Sequence, residues 1–426
     1  MTESLTDTPR RLPVHAPMHQ FALRDGQLVV GGEPLNLLAE RVGQTPFYAH
    51  DRGLLRQRVA QLRAALPPSI KLHYAMKANP MPAVVGLMAG LVDGIDVASA
   101  GELRVALDAG TDPAEISFAG PGKRESELRQ AVASRVLLNV ESMREVRLLA
   151  DISQQLGLSA RVAVRVNPDF ELKGSGMKMG GGPKQFGVDA EVVPEMLARI
   201  QDFGLAFEGF HLFAGSQNLR PESICEAQQK SYALARRLAE GCAQPVRFLN
   251  LGGAFGIPYF PGEQRLDLAP IADNLAAITE RAHTELPQAK LVIELGRYLV
   301  GEAGIYVTRI VDRKVSRGQV FLVTDGGLNH HLSASGNFGQ VIRKNYPVTI
   351  CPAICPPFGT PANAVRREVA SVVGPLCTPL DLLADRMDLP VADVGDLVVI
   401  YQSGAYGASA SPQAFLGQPP CVEVLV

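Results

Sequence analysis

The chain has 426 residues, of which 46% are hydrophobic and 20% charged, with a net charge of −2 at pH 7. This length favours two or three domains, and the composition is that of an ordinary globular protein. The small net charge gives no reason to expect nucleic acid or an anionic membrane as a partner, and no apolar run approaches the length of a membrane span.

Six cysteines are scattered through the chain without the pattern of a disulfide framework, which predicts a cytoplasmic protein. Cys351 and Cys355 lie four residues apart but have no matching Cys or His pair at zinc-site spacing, so we interpret them as structural. His330 and His331 are interpreted as a loop pair, and no metal site is predicted. The N-terminus lacks the apolar core of a signal peptide.

The first 20 or so residues are polar and Pro-rich and are predicted to be mobile. Residues 21–30 predict a short hairpin around Asp25 and Gly26. Residues 54–66 form an amphipathic pattern rich in Arg, Gln and Ala, which predicts a helix.

From residue 70 onward, apolar runs of β type alternate with helical patterns. The β runs cover residues 70–78, 94–99, 116–119, 136–140, 160–166, 207–213, 246–251 and 290–295, and the helical patterns cover 82–90, 101–109, 124–134, 142–156, 192–203, 223–241 and 271–286. Eight strands with intervening helices are the count of a (β/α)8 barrel. The continuous apolar runs are typical of parallel strands that are buried on both faces.

After Gly301 the pattern changes to β runs separated by turn residues, with little helix. These runs cover residues 305–311, 320–324, 348–351, 368–373, 397–402 and 422–426, and they predict a second, all-β domain. The predicted divisions are an N-terminal segment of residues 1–45 that joins the β domain, a barrel of residues 46–300, and a β domain of residues 301–426.

Lys77 ends the first predicted barrel strand just before Asn79 and Pro80, where a strand has to stop. A lysine at the end of a buried strand is costly unless its charge is paired or its pKa is lowered. A desolvated amine of that kind suits Schiff-base chemistry. The alternative is a surface lysine at a strand end.

Polar residues and glycines gather at the carboxyl ends of the predicted strands, where barrel enzymes place their chemistry. They are Lys77, Asp96, Ser99, Gly120, Arg165, Asn167, His211, Ser216, Gly252, Gly253, Glu294 and Arg297. Residues 168–187 form a Gly- and Lys-rich loop, which we interpret as a mobile lid rather than a phosphate cradle.

Three features suggest a cofactor site. Glycines in the loop at 251–256 let backbone N–H groups approach an anion closely, and Gly215 and Ser216 offer further donors; the alternative is a tight βα turn. Glu294 is placed to hold a protonated pyridine nitrogen, and Arg297 to grip a carboxylate or phosphate; the alternative is an Arg–Glu pair in the barrel mouth. Together with Lys77 they describe a site for pyridoxal phosphate.

These residues lie in motifs that resemble the fold-type III pyridoxal-phosphate decarboxylases, the group of diaminopimelate and ornithine decarboxylases, from about residue 21 to 426. The matching segments are 74–79 (YAMKAN), 96–103 (DVASAGEL), 215–217 (GSQ), the Gly252 loop, 294–297 (ELGR) and 404–407 (GAYG). Segments 164–170 (VRVNPDF), 208–219 (EGFHLFAGSQNL) and 374–381 (GPLCTPLD) resemble, more narrowly, the branch found with exosortase A systems. That branch is similar to decarboxylases that act on carrier-bound amino acids.

The resemblance implies an alanine racemase-like barrel, a homodimer with shared active sites, and a role for each matching position. Lys77 forms the Schiff base with the cofactor, and Glu294 faces its pyridine nitrogen. Cys377, from the β domain of the partner subunit, completes the site and helps to protonate the carbanion. The other implied cofactor contacts are Asp96, His211, Phe213, Ser216, Gly253, Ala254, Gly296, Arg297 and Tyr406. The implied substrate contacts are Arg297, Arg343, Tyr346, Thr378 and Asp381, of which Asp381 reads the far end of the substrate.

The chain departs from the family pattern at several positions. Phe213 stands where the family usually stacks a histidine on the cofactor, Ala254 replaces the third glycine of the usual triple, and Leu295 replaces a proline. Thr378 replaces the glutamate that follows the cysteine in diaminopimelate decarboxylases. That glutamate belongs to substrate recognition, so its loss puts diaminopimelate in doubt without affecting the chemistry.

The function predicted from these residues is α-decarboxylation of an amino acid or of a carrier-bound aminoacyl group. Diaminopimelate decarboxylation is the main alternative. An amino-acid racemase shares the barrel and lysine but typically has a weaker partner for the pyridine nitrogen than Glu294. A non-catalytic pyridoxal-phosphate carrier consists of a barrel alone, which the long β domain argues against, and an inactive homologue is opposed by the presence of Lys77 and Cys377.

Overall fold

The structure is a computed structural model that describes residues 14–24, 27–174, 176–340, 342–353 and 366–426. The first 13 residues, the predicted turn at Asp25 and Gly26, and Cys355 lie outside the described residues. The N-terminal elements are β1 (Leu23–Arg24), β2 (Gln27–Val30), β3 (Glu33–Pro34), α1 (Leu35–Val42) and β4 (Phe47–His50).

The central part of the chain alternates strands and helices as predicted. Its elements are α2 (Arg52–Ala65), β5 (Lys71–Ala75), α3 (Pro82–Ala89), β6 (Gly94–Val97), α4 (Ala100–Asp108), β7 (Ile116–Phe118), α5 (Glu125–Ala133), β8 (Leu137–Val140), α6 (Met143–Leu156), β9 (Arg161–Asn167), β10 (Met177–Lys178), β11 (Val188–Asp189), α7 (Val193–Asp202), β12 (Ala206–Leu212), β13 (Gly215–Ser216), α8 (Pro221–Ala239), β14 (Phe248–Asn250), α9 (Ala269–Glu285), β15 (Lys290–Leu295) and α10 (Arg297–Val300).

Eight parallel strands of this part close into a barrel, in the order β5, β6, β7, β8, β9, β12, β14 and β15, with β15 pairing back onto β5. The predicted (β/α)8 barrel is therefore confirmed. Its strands are buried along nearly their whole length, as their continuous apolar sequences require. Ser99 and Ser142 accept hydrogen bonds from the first turns of α4 and α6, which places two helix starts directly after the strands that precede them.

The remaining strands form a mixed sheet after the barrel. They are β16 (Gly304–Ser316), β17 (Gln319–Thr324), β18 (Val348–Cys351), β19 (Arg367–Val373), β20 (Leu382–Pro390), β21 (Leu397–Ile400) and β22 (Val422–Leu425). The N-terminal strand β4 joins this sheet, where it pairs antiparallel with β16 and parallel with β22. The strand that joins the mixed sheet is thus β4 at residues 47–50, which the predicted division put in the barrel. The predicted N-terminal segment of residues 1–45 contributes β1, β2 and β3, which form a sheet of their own, and its apolar side chains pack against the β domain. The division of the chain otherwise stays a prediction.

The β domain meets the carboxyl end of the barrel at the turn after β5. The Tyr406 N–H donates to the Ala78 carbonyl at 2.7 Å, and Asn79 Nδ2 donates to the Gly404 carbonyl at 3.0 Å. The loop at 404–407 is therefore held against the barrel end at which the sequence predicts the chemistry.

Candidate active site

Lys77 lies in a single 3₁₀ turn, Met76–Ala78, which follows β5. The Tyr74 hydroxyl donates to the Asn79 carbonyl at 2.7 Å and so fixes the far side of the turn. This turn directs Lys77 toward two neighbours. Its Nζ lies 3.7 Å from Glu294 Oε1 and 5.4 Å from the centre of the Phe213 ring.

The charge of Lys77 is paired. Burial by itself lowers the pKa of Lys77, but the carboxylate of Glu294 outweighs it and holds that pKa above its ordinary value. A lysine at this strand end was expected either to have its charge paired or to have a lowered pKa. In the structure its charge is paired and its pKa is not lowered.

Glu294, at the end of β15, is buried between several partners. Its Oε2 accepts hydrogen bonds from His211 Nε2 at 3.0 Å and from Asn250 Nδ2 at 3.4 Å. Burial by itself raises the pKa of Glu294, but the hydrogen bond from His211 and the charge of Lys77 outweigh it and hold the pKa well below its usual range. The site therefore contains a buried carboxylate that stays ionised.

Asp96 lies level with Ala75, its partner across the β5–β6 pair and two residues before Lys77. Its Oδ1 is 3.0 Å from His73 Nδ1, and its Oδ2 has no hydrogen-bond partner among the described residues. His73 is a buried interior residue that the sequence analysis did not single out.

The loop after β14 turns sharply through two left-handed residues, Gly252 at φ +69° and Ala254 at φ +68°. The Gly252 N–H donates to Asn250 Oδ1 at 2.8 Å. A Cβ on Gly253 would lie 2.3 Å from the Glu294 carbonyl oxygen, so only glycine fits between this loop and β15. The close approach brings the backbone of the loop to the same barrel end as Glu294.

Ser216 faces this loop from β13, which pairs antiparallel with β10 of the 168–187 loop. The base of that loop is tied to the barrel, since Asn167 Nδ2 donates to the Gly182 carbonyl at 2.9 Å and the Gly187 N–H donates to Glu141 Oε2 at 2.9 Å. The loop is therefore anchored to the barrel beside Ser216. That it moves as a lid stays a prediction.

Arg297 begins α10 and is surrounded by aromatic rings. Its guanidinium lies 4.6 Å from the centre of the Tyr406 ring and 5.3 Å from that of Tyr259, and its Nη1 donates to the Tyr259 hydroxyl at 3.0 Å. Its Nε has no partner among the described residues. Burial by itself lowers the pKa of Arg297, but the neighbouring tyrosines outweigh it and the pKa stands above its usual range. Such a guanidinium is a ready site for an anion.

Tyr259 is a site residue that sequence reasoning missed. It lies 38 positions before Arg297 in a segment without a recognised motif. The one available signal was its position shortly after the glycine loop at 251–256.

Two predicted substrate residues, Tyr346 and Arg343, lie in the β domain. They differ in whether they pack beside the residues around Arg297. Tyr346 is buried, with its ring centre 4.6 Å from that of Tyr259. Arg343 donates instead to the Ser335 carbonyl and to Asn345 Oδ1, so the structure places it in its own loop rather than against Arg297. Burial lowers the pKa of Arg343.

Together these residues line one recess with about 360 Å³ of empty space, counting its opening to solvent. Of the predicted cofactor residues, the recess is lined by Lys77, Phe213, Ser216, Ala254, Glu294, Gly296, Arg297 and Tyr406. His211 and Gly253 lie against Glu294 from outside the lining, whereas Asp96 is bonded to His73.

Cys377 and Thr378 do not line this recess. They lie in the loop after β19, where the Cys377 side chain is exposed. Asp381, in the same loop, is buried, and its carboxylate accepts hydrogen bonds from the Leu328 N–H at 2.6 Å and the Leu376 N–H at 2.8 Å. This geometry favours a structural role for Asp381 over the predicted contact with the far end of a substrate.

Among the described residues, no group of three or more His, Cys, Asp or Glu is arranged to hold a metal ion. Across the same ranges, no helix has both the length and the apolar character needed to cross a bilayer.

The barrel sequence matches one family profile. Residues 52–301 match the pyridoxal binding domain of the pyridoxal-dependent decarboxylases. The chain belongs to this family. It is a pyridoxal phosphate-dependent carboxy-lyase of fold type III.

Relatives of known activity agree with this family. The chain is 38% identical to the L-glutamyl-[BtrI acyl-carrier protein] decarboxylase of Niallia circulans, over 90% of this chain and 89% of that protein. It is 34% identical to the diaminopimelate decarboxylase of Aquifex aeolicus, over 95% of this chain and 91% of that protein. The crystal structure of Helicobacter pylori diaminopimelate decarboxylase complexed with L-lysine superposes with a TM-score of 0.79 at 29% identity, covering 92% of this chain and 93% of that one.

The residues of the recess fit pyridoxal phosphate. The ionised Glu294 suits a protonated ring nitrogen, and Lys77 supplies a primary amine within the same recess. At the other end, the cationic Arg297 and the closely approaching backbone at Gly253 suit a phosphate. The donor set thus offers one partner for each polar end of the cofactor.

Proposed function

We propose that this decarboxylase acts on an aminoacyl group linked to a carrier protein, with Lys77 as the cofactor's covalent anchor and Glu294 as the partner of its ring nitrogen. The observation that carries the catalytic assignment is the buried Glu294, which is hydrogen-bonded to His211 and paired with Lys77. When bound, pyridoxal phosphate takes up the electrons that are released as the bond to the carboxylate breaks.

The protein residues prepare that step electrostatically. Glu294 keeps a proton on the ring nitrogen because its own pKa is held low, and His211 fixes the orientation of its carboxylate. Phe213 covers one face of the recess beside Lys77 without competing for hydrogen bonds. Arg297 and the backbone at 252–254 fix the anionic end, so the cofactor is held at both ends.

A proton donor is still needed on the open side of the recess, and we assign it to the partner subunit's Cys377 in a homodimer. Cys377 is exposed in its own subunit and lies outside its own recess. The large apolar side chains that are exposed in the β domain include Phe338 at 41%, Ile342 at 76% and Leu380 at 59%. Their burial in a dimer interface accounts for this exposure.

The carrier-bound substrate is supported by two observations. A relative that is 38% identical over 90% of this chain acts on a glutamyl group on an acyl-carrier protein. Thr378 leaves the substrate side of the cysteine loop uncharged, and Asp381 is occupied by two backbone N–H groups. These two positions of the cysteine loop therefore offer no free charge to a distal zwitterion, whereas an amide- or thioester-linked arm needs none.

Diaminopimelate decarboxylation is the second candidate, because relatives with that activity match at 34% identity over 95% of the chain. The two candidates are separated by measuring CO2 release from free meso-diaminopimelate, ornithine, lysine and glutamate, and from glutamate linked to an acyl-carrier protein. We expect turnover of the carrier-linked substrate and poor turnover of the free amino acids. Efficient turnover of meso-diaminopimelate, with kcat/KM above about 10⁴ M⁻¹s⁻¹, would establish the second candidate instead.

A further inference from the structure

A second cavity lies at the opposite end of the barrel, where the strands begin. It has about 610 Å³ of empty space, counting its opening to solvent, and it lies among the first residues of β5, β9, β14 and β15. Amino ends of barrel strands usually serve stability rather than chemistry. The charges and the hydrogen bonding in this cavity indicate a binding site in addition to a stabilising role.

The cavity has an excess of positive charge. Lys71 pairs with Glu115, and Arg161 pairs with Glu208 at 3.0 Å, so these four charges are balanced. Arg247 and Lys290 also line the cavity, and neither has a carboxylate within ion-pair distance in the described part of the chain. Two cations at one opening attract a doubly charged anion.

His73 forms the inner wall of this cavity and is 2% exposed. Its Nδ1 is bonded to Asp96, which lies further along the barrel toward the active site. Its Nε2 is on the other edge of the ring, has no hydrogen-bond partner among the described residues, and lies beside the backbone of Gly94 at the start of β6. His73 therefore brings one unpartnered ring nitrogen to the wall of the cavity.

The protonated form of His73 suits an anion. Burial by itself lowers the pKa of His73, but the charge and the hydrogen bond of Asp96 outweigh it and hold that pKa above the ordinary value for histidine. In the protonated ring both nitrogens donate, so Nδ1 can satisfy Asp96 while Nε2 remains to be satisfied by an acceptor in the cavity.

We propose that this cavity is a binding site for a small divalent oxyanion of the size of inorganic phosphate, held by Arg247, Lys290 and His73. The site is separate from the active site, because the barrel interior lies between them. It also has a physical link to the catalytic end, since the imidazole that receives the anion also binds Asp96, which pairs across the sheet with Ala75, two residues before Lys77.

The test is calorimetric titration of inorganic phosphate into the holoenzyme, in which the cofactor fills the phosphate site of the recess, at constant ionic strength. We expect one saturable site per chain. The double substitution Arg247→Gln with Lys290→Gln should weaken binding by about tenfold or more, since it removes two charge-assisted contacts. His73→Leu should weaken it as well and leaves the charges at the opening in place.

Arg237→Gln is the matched control. Arg237 is exposed on α8 and, like Arg247, has no ion-pair partner among the described residues, but it does not line the cavity. Its substitution should leave phosphate affinity unchanged within twofold or so. Absence of saturable binding, or equal binding by the parent protein and the double variant, would overturn the proposal and leave these residues with the role of closing the barrel end.

Discussion

At the scale of single residues, Lys77 is distinguished by its neighbours rather than by its burial. It is 41% exposed, yet its Nζ lies 3.7 Å from an ionised Glu294 at the bottom of the recess. We expect Lys77→Ala to abolish both the visible absorption of the bound cofactor and its fixation by borohydride. Mass spectrometry of borohydride-treated protein should place the cofactor on Lys77.

The control for this prediction is Lys230→Ala. Lys230 pairs with Glu226 on the surface of α8 at 2.7 Å and does not line the recess. This variant should keep the absorption and the label. Labelling of another lysine in the parent protein would show that the assignment of Lys77 is wrong.

Ala254 adopts a left-handed conformation, φ +68°, that is costly for any residue with a Cβ. Replacing it with glycine removes that cost, which the greater freedom of glycine in the unfolded chain offsets only in part. We expect Ala254→Gly to raise the free energy of unfolding by about 0.5 kcal/mol, measured by urea denaturation.

The matched substitution is Ala233→Gly, at an exposed position inside α8. There the same chemical change should lower the free energy of unfolding by roughly 0.5 to 1 kcal/mol, because helical alanine has no strain to relieve. If both substitutions destabilise the protein equally, the left-handed conformation of Ala254 contributes no strain.

His331 makes the protein sensitive to acid. It is fully buried, its Nδ1 accepts a hydrogen bond from the Ala334 N–H, and its Nε2 lies 2.8 Å from Ser403 Oγ. Burial lowers its pKa to about 3 from 6.5, so between these two values the unfolded chain binds a proton that the folded chain does not. Stability must therefore fall as the pH falls through this window.

The expected loss attributable to this residue is roughly 2 kcal/mol between pH 6.5 and pH 5. His331→Gln keeps a polar side chain but cannot be protonated, so its free energy of unfolding should depend less steeply on pH over the same interval. Urea denaturation at several pH values measures both slopes. Equal slopes would show that His331 titrates normally in the folded protein.

At the scale of elements, Asp381 joins two loops of the β domain. Its carboxylate binds the backbone N–H groups of Leu328 and Leu376, and a Cβ on either Gly327 or Gly374 would collide with it at 2.2–2.4 Å. Asp381→Asn turns one acceptor into a donor that faces a buried N–H. We expect this substitution to lower the free energy of unfolding by about 1 to 3 kcal/mol. This loss of stability does not depend on which substrate is used.

Asp388→Asn is the control, since Asp388 is 63% exposed in a surface pair with Arg367 on neighbouring strands of the same sheet. Its effect should stay below about 0.5 kcal/mol. Selective loss of turnover of a diamine substrate by Asp381→Asn, without loss of stability, would return Asp381 to the substrate residues.

The barrel was predictable from sequence because both faces of its strands are buried, which leaves apolar runs such as residues 291–293 of β15. The same reasoning missed β20, whose sequence from Leu382 to Pro390 contains three charged residues at partly or fully exposed positions. It also missed the membership of β4 in the distant sheet, since pairing between Phe47 and Val307 leaves no local pattern. Tyr259 was missed for the same reason: only folding brings it to Arg297.

At the scale of the whole molecule, each chain has one recess and one exposed cysteine loop, and the proposed homodimer places the loop of one subunit at the recess of the other. Mixing two variant chains, each lacking one of the two groups, tests this arrangement. A heterodimer of Lys77→Ala and Cys377→Ala chains contains one recess with neither group and one with both, because the second recess combines its own Lys77 with the partner subunit's Cys377.

We therefore expect each variant alone to be inactive or strongly impaired, and their equilibrated mixture to regain about a quarter of the parent activity, since half of randomly paired dimers are mixed and each has one intact site. Subunit exchange is confirmed by native mass spectrometry of differently tagged chains. A mixture of Lys77→Ala with the doubly substituted chain should regain nothing, because no recess then has both groups. If the first mixture also regains nothing although exchange is complete, Cys377 does not act across the interface, and the proton must come from within the same subunit.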